Sequence, residues 1–177
     1  IGAPQFSARA AAGNTVEDIE ALTEYAHQFG AKVYVALNTI LNDKELEDAE
    51  RLIRQLYTDA HIDALIIQDM GITKLNLPPI PLHASTQVDN RDVDKVKFLE
   101  QAGFDQVVLA RELTMEEIHK IASQTAVKLE VFVHGALCVF YSGQCYLSEA
   151  LSGRSANKGS CAQYCRLPYT LVDREGG

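Results

Sequence analysis

Two hydrophobic periods alternate along the chain up to about residue 133. From Thr15 to Phe29 the apolar positions Val16, Ile19, Leu22, Ala26 and Phe29 recur every three or four residues, the spacing of one helix face. Asn14 or Thr15 can cap this helix, with Glu17 and Asp18 in its first turn and Gly30 as its stop. Val33 to Leu37 is a short β-branched apolar run and predicts a strand. Asn42 caps a second predicted helix, Asp43 to Tyr57, and Ala64 to Ile67 reads as a second strand. A proline-rich link, Leu77 to Pro81, leads to a third strand over Leu82 to Ser85. A helix over Arg91 to Ala102 ends at Gly103, and Gln106 to Ala110 is a fourth strand. Thr114 and Glu117 form a capping box for a helix to about Gln124, and Leu129 to Val133 is a fifth strand.

Short apolar strands separated by helices predict parallel pairing, because a parallel neighbour requires a crossover. The expected fold class is therefore α/β. Residues 1–134 are read as a partial parallel (β/α) barrel of the TIM type, and 135–177 as an irregular module with four cysteines packed on it. No glycine-rich phosphate fingerprint follows any strand, which disfavours a dinucleotide-binding sheet. In a barrel the strand exits share one face, the usual place for an active site. Those exits carry Asn38, Gln68 and Asp69, then Ser85, Thr86 and Gln87, then Arg111 and Glu112, and finally His134, while His83 lies inside the third strand. His83, Gln87, Arg111, Glu112 and His134 are the candidate catalytic residues. Glu130 is as well explained by a structural role as by a catalytic one.

Composition narrows the class. The chain has 177 residues, 47% hydrophobic and 23% charged, an ordinary globular balance for one domain with an appendage. No apolar run is long enough to span a membrane. The opening residues Ile1-Gly2-Ala3-Pro4 bring no initiator Met and no signal-peptide pattern, which reads as a fragment of a cytoplasmic protein. A fragment lacking its first strand–helix unit is expected to bare a sheet edge, with dimerisation or strand exchange there. The net charge of -8 argues against nonspecific nucleic-acid binding. From His134 onward, however, the balance turns slightly positive, and Arg154, Lys158 and Arg166 lie among the cysteines. They are candidates for RNA contact or for offsetting thiolate charge.

The cysteines are Cys138, Cys145, Cys161 and Cys165, spaced C-x6-C-x15-C-x3-C, and the chain has no others. A core of this kind needs no disulfides. Four thiolates in so short a span suit an iron–sulfur cluster or a tetrahedral zinc site. Zinc ribbons usually carry two CxxC knuckles, which are absent here, so the wide spacing favours a cluster. Disulfides and free thiols are the other readings. No HExxH and no GxSxG occurs, and nothing marks Ser142 and His134 as a hydrolytic dyad.

The stretch from Glu130 through Cys138 and Cys145 to Ser148 resembles the signature of the collagenase-like peptidase family, and the match continues from Gly153 through Cys161 and Cys165 to Arg166. Ile1 to Asn14, Tyr34 to Asn38, His83 to Gln87 and Leu109 to Glu112 resemble the same family. The resemblance implies a TIM-type barrel. It also implies kinship with bacterial enzymes that hydroxylate a pyrimidine of ribosomal or transfer RNA. In those relatives the four signature cysteines hold a 4Fe-4S cluster and prephenate is implicated as co-substrate. The ligands carried over are Cys138, Cys145, Cys161 and Cys165. Peptidase activity, or hydroxylation of another small aromatic, are the alternative functions.

Overall fold

A computed structural model describes residues 1–8 and 13–173; Arg9 to Ala12, within the resemblance at Ile1 to Asn14, and the last four residues lie outside the described residues. Five strands, β1 (Tyr34–Leu37), β2 (Ala64–Ile67), β3 (Leu82–Ala84), β4 (Gln106–Val108) and β5 (Lys128–Glu130), form one sheet in the order β1-β2-β3-β4-β5. Every neighbouring pair is parallel. This matches the parallel, sequential sheet expected from the alternating periods. The strands form an open five-stranded sheet, with β1 and β5 at its ends.

Helices α1 (Val16–His27), α2 (Asp43–Thr58), α3 (Val93–Gln101) and α4 (Met115–Ala122) connect the strands or precede them. Their starts follow from local chemistry. Thr15, Asn42 and Thr114 each accept from a backbone N–H in the first turn, and Asp18, Glu45 and Glu117 return the bond to the cap's own N–H. These reciprocal bonds satisfy donors that a helix start otherwise leaves orphaned.

Register sorts the side chains by face. Leu37, Ile67, Ala84, Val107 and Leu129 lie side by side and join the core with Ile19, Ile53, Leu56, Val96, Leu99 and Ile121 from the helices. Ala36, Ile66, His83, Gln106 and Lys128 form the adjacent row on the opposite face, outside that core. The helices therefore pack on the face that carries the core row. Each fully buried Ile or Leu of the core contributes about 1.5–3 kcal/mol.

Several expectations are corrected. The apolar stripe expected on α1 is shifted: Ile19 and Thr23 are buried, Leu22 is exposed, and Phe29 lies beyond the helix and is exposed. The fifth strand stops at Glu130, and Val131 to Val133 run on as exposed chain. The edge of β1 is not bare. Ala36 N–H donates to Ile1 O at 2.7 Å and Ala3 N–H donates to Ala36 O at 3.1 Å, so Ile1 to Ala3 cover it. The tail is not wholly irregular either: α5 (Leu147–Ser152) lies between the second and third cysteines and ends at Gly153, whose φ of 69° suits glycine.

Candidate active site

The strand exits are capped by the cysteine-bearing module. After β1, Ile40 N–H donates to Asn157 O at 3.3 Å. At the start of α2, Lys158 donates from Nζ to both carboxylate oxygens of Glu45, at 2.7 and 3.1 Å. Lys158, helped by the Asn42 N–H, holds the Glu45 carboxyl below the usual carboxylate range. After β3, Gly143 lies directly against the backbone of Gln87, and the Gln144 amide donates to Asp89. After β4, Ser142 is gripped by both residues of the exit. Its N–H donates to Glu112 Oε1 at 2.8 Å, its hydroxyl donates to Glu112 Oε2 at 3.2 Å, and Arg111 donates from Nη2 to the Ser142 hydroxyl oxygen at 3.0 Å.

The sheet residues beneath this cap are tied to one another. Asn38 donates to the Ser85 hydroxyl at 3.3 Å, and Gln68 donates to Gln87 O at 3.1 Å. Asn90 donates to Ser85 O at 2.8 Å and Val108 O at 2.9 Å. Gln68 Oε1, Asn90 Oδ1 and Arg111 Nε are buried and have no partner among the described residues. Buried polar atoms are normally satisfied, so an orphaned donor and two orphaned acceptors here leave hydrogen-bonding capacity for water or a polar ligand.

The candidates named from sequence divide. Gln87, Arg111 and Glu112 come together under the Ser142–Gly143 loop. His83 does not join them. It lies within β3, packs edge-on against Tyr34 with ring centroids 4.6 Å apart, and has no partner for Nδ1 among the described residues. Burial pushes its pKa below the ordinary histidine value, with Asp105 acting against that shift and Lys128 and Lys32 reinforcing it. His134 is exposed on the chain that follows β5 and makes no hydrogen bond or ion pair among the described residues. Asn90, Ser142 and Gly143 are the additions. Ser142 had a sequence signal in its glycine neighbour, whereas nothing local marked Asn90.

Arg154, Lys158 and Arg166 all have protein partners. Besides the Lys158–Glu45 pair, Arg154 donates to Ser160 O at 3.2 Å and Arg166 donates to Leu137 O at 2.6 Å. The four cysteines are free thiols, Cys138 and Cys161 exposed, Cys145 and Cys165 half-buried. Their segments are stitched together in pairs. Arg166, next to Cys165, bonds Leu137, next to Cys138. Ala162, next to Cys161, donates its N–H at 2.9 Å to Ser148, three residues past Cys145. The thiols themselves are not gathered: among the described residues no group of three or more His, Cys, Asp or Glu is placed to hold a metal ion. No chemical step is assigned to a metal or cluster here.

Two cavities lie outside the Gln87–Arg111–Glu112 cluster. One of about 530 Å³ follows the proline-rich link near Pro79 and Asp105, and one of about 400 Å³ lies between the start of α3, with Arg91, and the Glu117–Gln124 side of α4. No described helix is long and apolar enough to cross a membrane.

Comparison with known proteins places these features in context. The family description that matches is Peptidase family U32, over residues 1–176. The chain is 58% identical over 99% of its length to a 23S rRNA 5-hydroxycytidine C2501 synthase of Escherichia coli, of which it covers 27%. It is 34% identical over 99% of its length to tRNA hydroxylation protein P1 of Bacillus subtilis, of which it covers 42%. The chain thus spans less than half the length of these curated relatives. Among solved structures, a U32 peptidase superposes with a TM-score of 0.63 at 14% identity, covering 74% of this chain and 58% of that one. That likeness shows the fold.

Proposed function

The chain belongs to peptidase family U32, and from that premise we propose that it is part of an enzyme that hydroxylates a pyrimidine base of ribosomal or transfer RNA. The observation that carries this reading is the 58% identity, sustained over 99% of the chain, to a protein named as an rRNA 5-hydroxycytidine synthase. The site supports it in kind. The strand exits gather Gln87, Arg111 and Glu112 above the buried amides of Gln68 and Asn90, groups of the chemical type that reads the edge of a base.

Peptide hydrolysis has weaker support from the same residues. Ser142 is only 1% exposed and is held by a carboxylate and a guanidinium, with no histidine on its hydroxyl. A serine nucleophile needs an adjacent base and an open approach.

For the cofactor we propose a 4Fe-4S cluster on Cys138, Cys145, Cys161 and Cys165, with zinc as the alternative. The pairwise stitching of the four cysteine segments supports this. Prephenate as co-substrate is proposed on the family resemblance alone. Arg154, Lys158 and Arg166 are proposed to face the RNA while keeping their structural bonds. Deleting the gene and analysing digested ribosomal and transfer RNA by mass spectrometry tests the function. Loss of one hydroxylated pyrimidine supports it, and an unchanged nucleoside profile contradicts it. Iron, sulfide and zinc analysis of anaerobically purified protein tests the cofactor separately.

A further inference from the structure

The loop between the first two cysteines carries Tyr141, which is 59% exposed. Its ring is not loose. The Arg91 guanidinium carbon lies 4.0 Å from the ring centroid and covers one face. Arg91 is fixed in turn by Asp89, which accepts from Nη2 at 2.9 Å and pairs with Nε as well. Asp89 also accepts from Gln144, three residues beyond Tyr141. Asp89 itself holds a left-handed backbone, φ 66°, which a non-glycine residue adopts only when its surroundings fix it. The carboxylate, guanidinium and ring therefore form a stack anchored to the exit of β3. One face of the ring is covered by a cation, and the rest of the side chain is largely open to solvent. The residues that follow it, Ser142 and Gly143, seat on Glu112 and on the Gln87 backbone.

We propose that the open face of Tyr141 is a stacking platform for an unpaired base of single-stranded RNA at the edge of the strand-exit mouth, with Arg91 as its positioning residue. The proposal rests on the RNA reading above and adds to it a binding residue and the form of the RNA that is bound. Three features favour a base over a phosphate as the group received. The chain is acidic overall, with a net charge of -8. The cation on the ring, Arg91, is already paired with Asp89. The loop that carries Tyr141 is seated on two carboxylates, Asp89 and Glu112. A base carries no charge, and every base has a π-face, so an aromatic platform accepts it without regard to sequence. A ring already held from behind loses little conformational freedom when a base lands on it.

The chain contains no tryptophan, so Tyr141→Trp places a single fluorescent reporter on the platform. The probe is a short single-stranded pyrimidine RNA carrying a dye at one end. Binding is followed by dye anisotropy for the wild-type chain, Tyr141→Phe and Tyr141→Leu, and by indole quenching for Tyr141→Trp. Tyr141→Phe is expected to bind within about twofold of wild type, and Tyr141→Leu between about fivefold and 150-fold more weakly, the range for one base–aromatic stack. The Tyr141→Trp indole is expected to be quenched in step with the anisotropy change. Equal binding by Tyr141→Leu, or RNA binding that leaves the indole unquenched, overturns the platform. Failure of the wild-type chain to bind the probe overturns it too, while hydroxylation itself is decided independently by the nucleoside profile of the deletion strain.

Discussion

A Cβ on Gly143 would stand 1.9 Å from the carbonyl oxygen of Gln87. The contact is with backbone, so no side-chain rotation can relieve it. Gly143 also has φ 76°, where an L side chain is strained. Gly143→Ala is therefore expected to lift the Cys138–Cys145 loop off the exit of β3 at a cost of about 2–4 kcal/mol. Thermal unfolding should show a Tm lower by roughly 5–15 °C. An unchanged Tm would mean that the loop is not seated on Gln87.

Glu112 is the second anchor of that loop. Glu112→Ala removes the acceptors for the N–H and hydroxyl of Ser142, which is nearly inaccessible to water at 1% exposure. An orphaned buried donor costs about 1–3 kcal/mol. A double-mutant cycle with Ser142→Ala should give a coupling energy of at least about 0.5 kcal/mol. Strict additivity in denaturant unfolding would show that the two residues act separately.

Arg111 makes one bond through Nη2 and leaves Nε without a partner among the described residues. Lysine cannot reproduce that fork. Arg111→Lys in the full-length protein is expected to lower the hydroxylated nucleoside at least about tenfold, the effect of losing one charge-assisted pair of about 1.5–3 kcal/mol. The Tm should fall by less than for Glu112→Ala. Undiminished modification would remove Arg111 from the site, and a larger Tm drop would make its role structural.

His83 gives a pH signature. Its folded pKa is depressed, chiefly by burial, below the ordinary value of about 6.5. Between the two values the unfolded chain binds a proton that the folded chain does not, so stability rises with pH across that window. The contribution is fully present above about pH 6.5 and is lost as pH falls through the folded pKa. Tm measured from pH 7.5 down to 5.5 should decline more steeply for wild type than for His83→Gln. Parallel curves would show that the ring is not held neutral.

Much of the fold was legible because it is written in local periods. Ala64–Ile67 is found at its expected bounds, and Asn42 and Thr114 cap the helices whose starts they marked. The site was less legible because it depends on contacts distant in sequence. His83 sits in a strand of three residues, too short for alternation to say which face it takes or how far it lies from the exit. Lys158 looked like part of a basic patch, yet its partner Glu45 lies 113 residues away, in a capping box that explained itself without it. For the cysteines, spacing gave a ligand set by chemical type, but it carries no information on where four loop backbones point.

The central claim is tested most directly by complementation. A strain lacking the gene is supplied with the full-length wild-type protein, or with its Arg111→Lys or Gly143→Ala variant, and the hydroxylated pyrimidines of ribosomal and transfer RNA are quantified by mass spectrometry. The account predicts one hydroxylated pyrimidine that disappears on deletion, returns with wild type, and stays at least about tenfold depleted with Arg111→Lys. A nucleoside profile identical in the deletion and wild-type strains would contradict it.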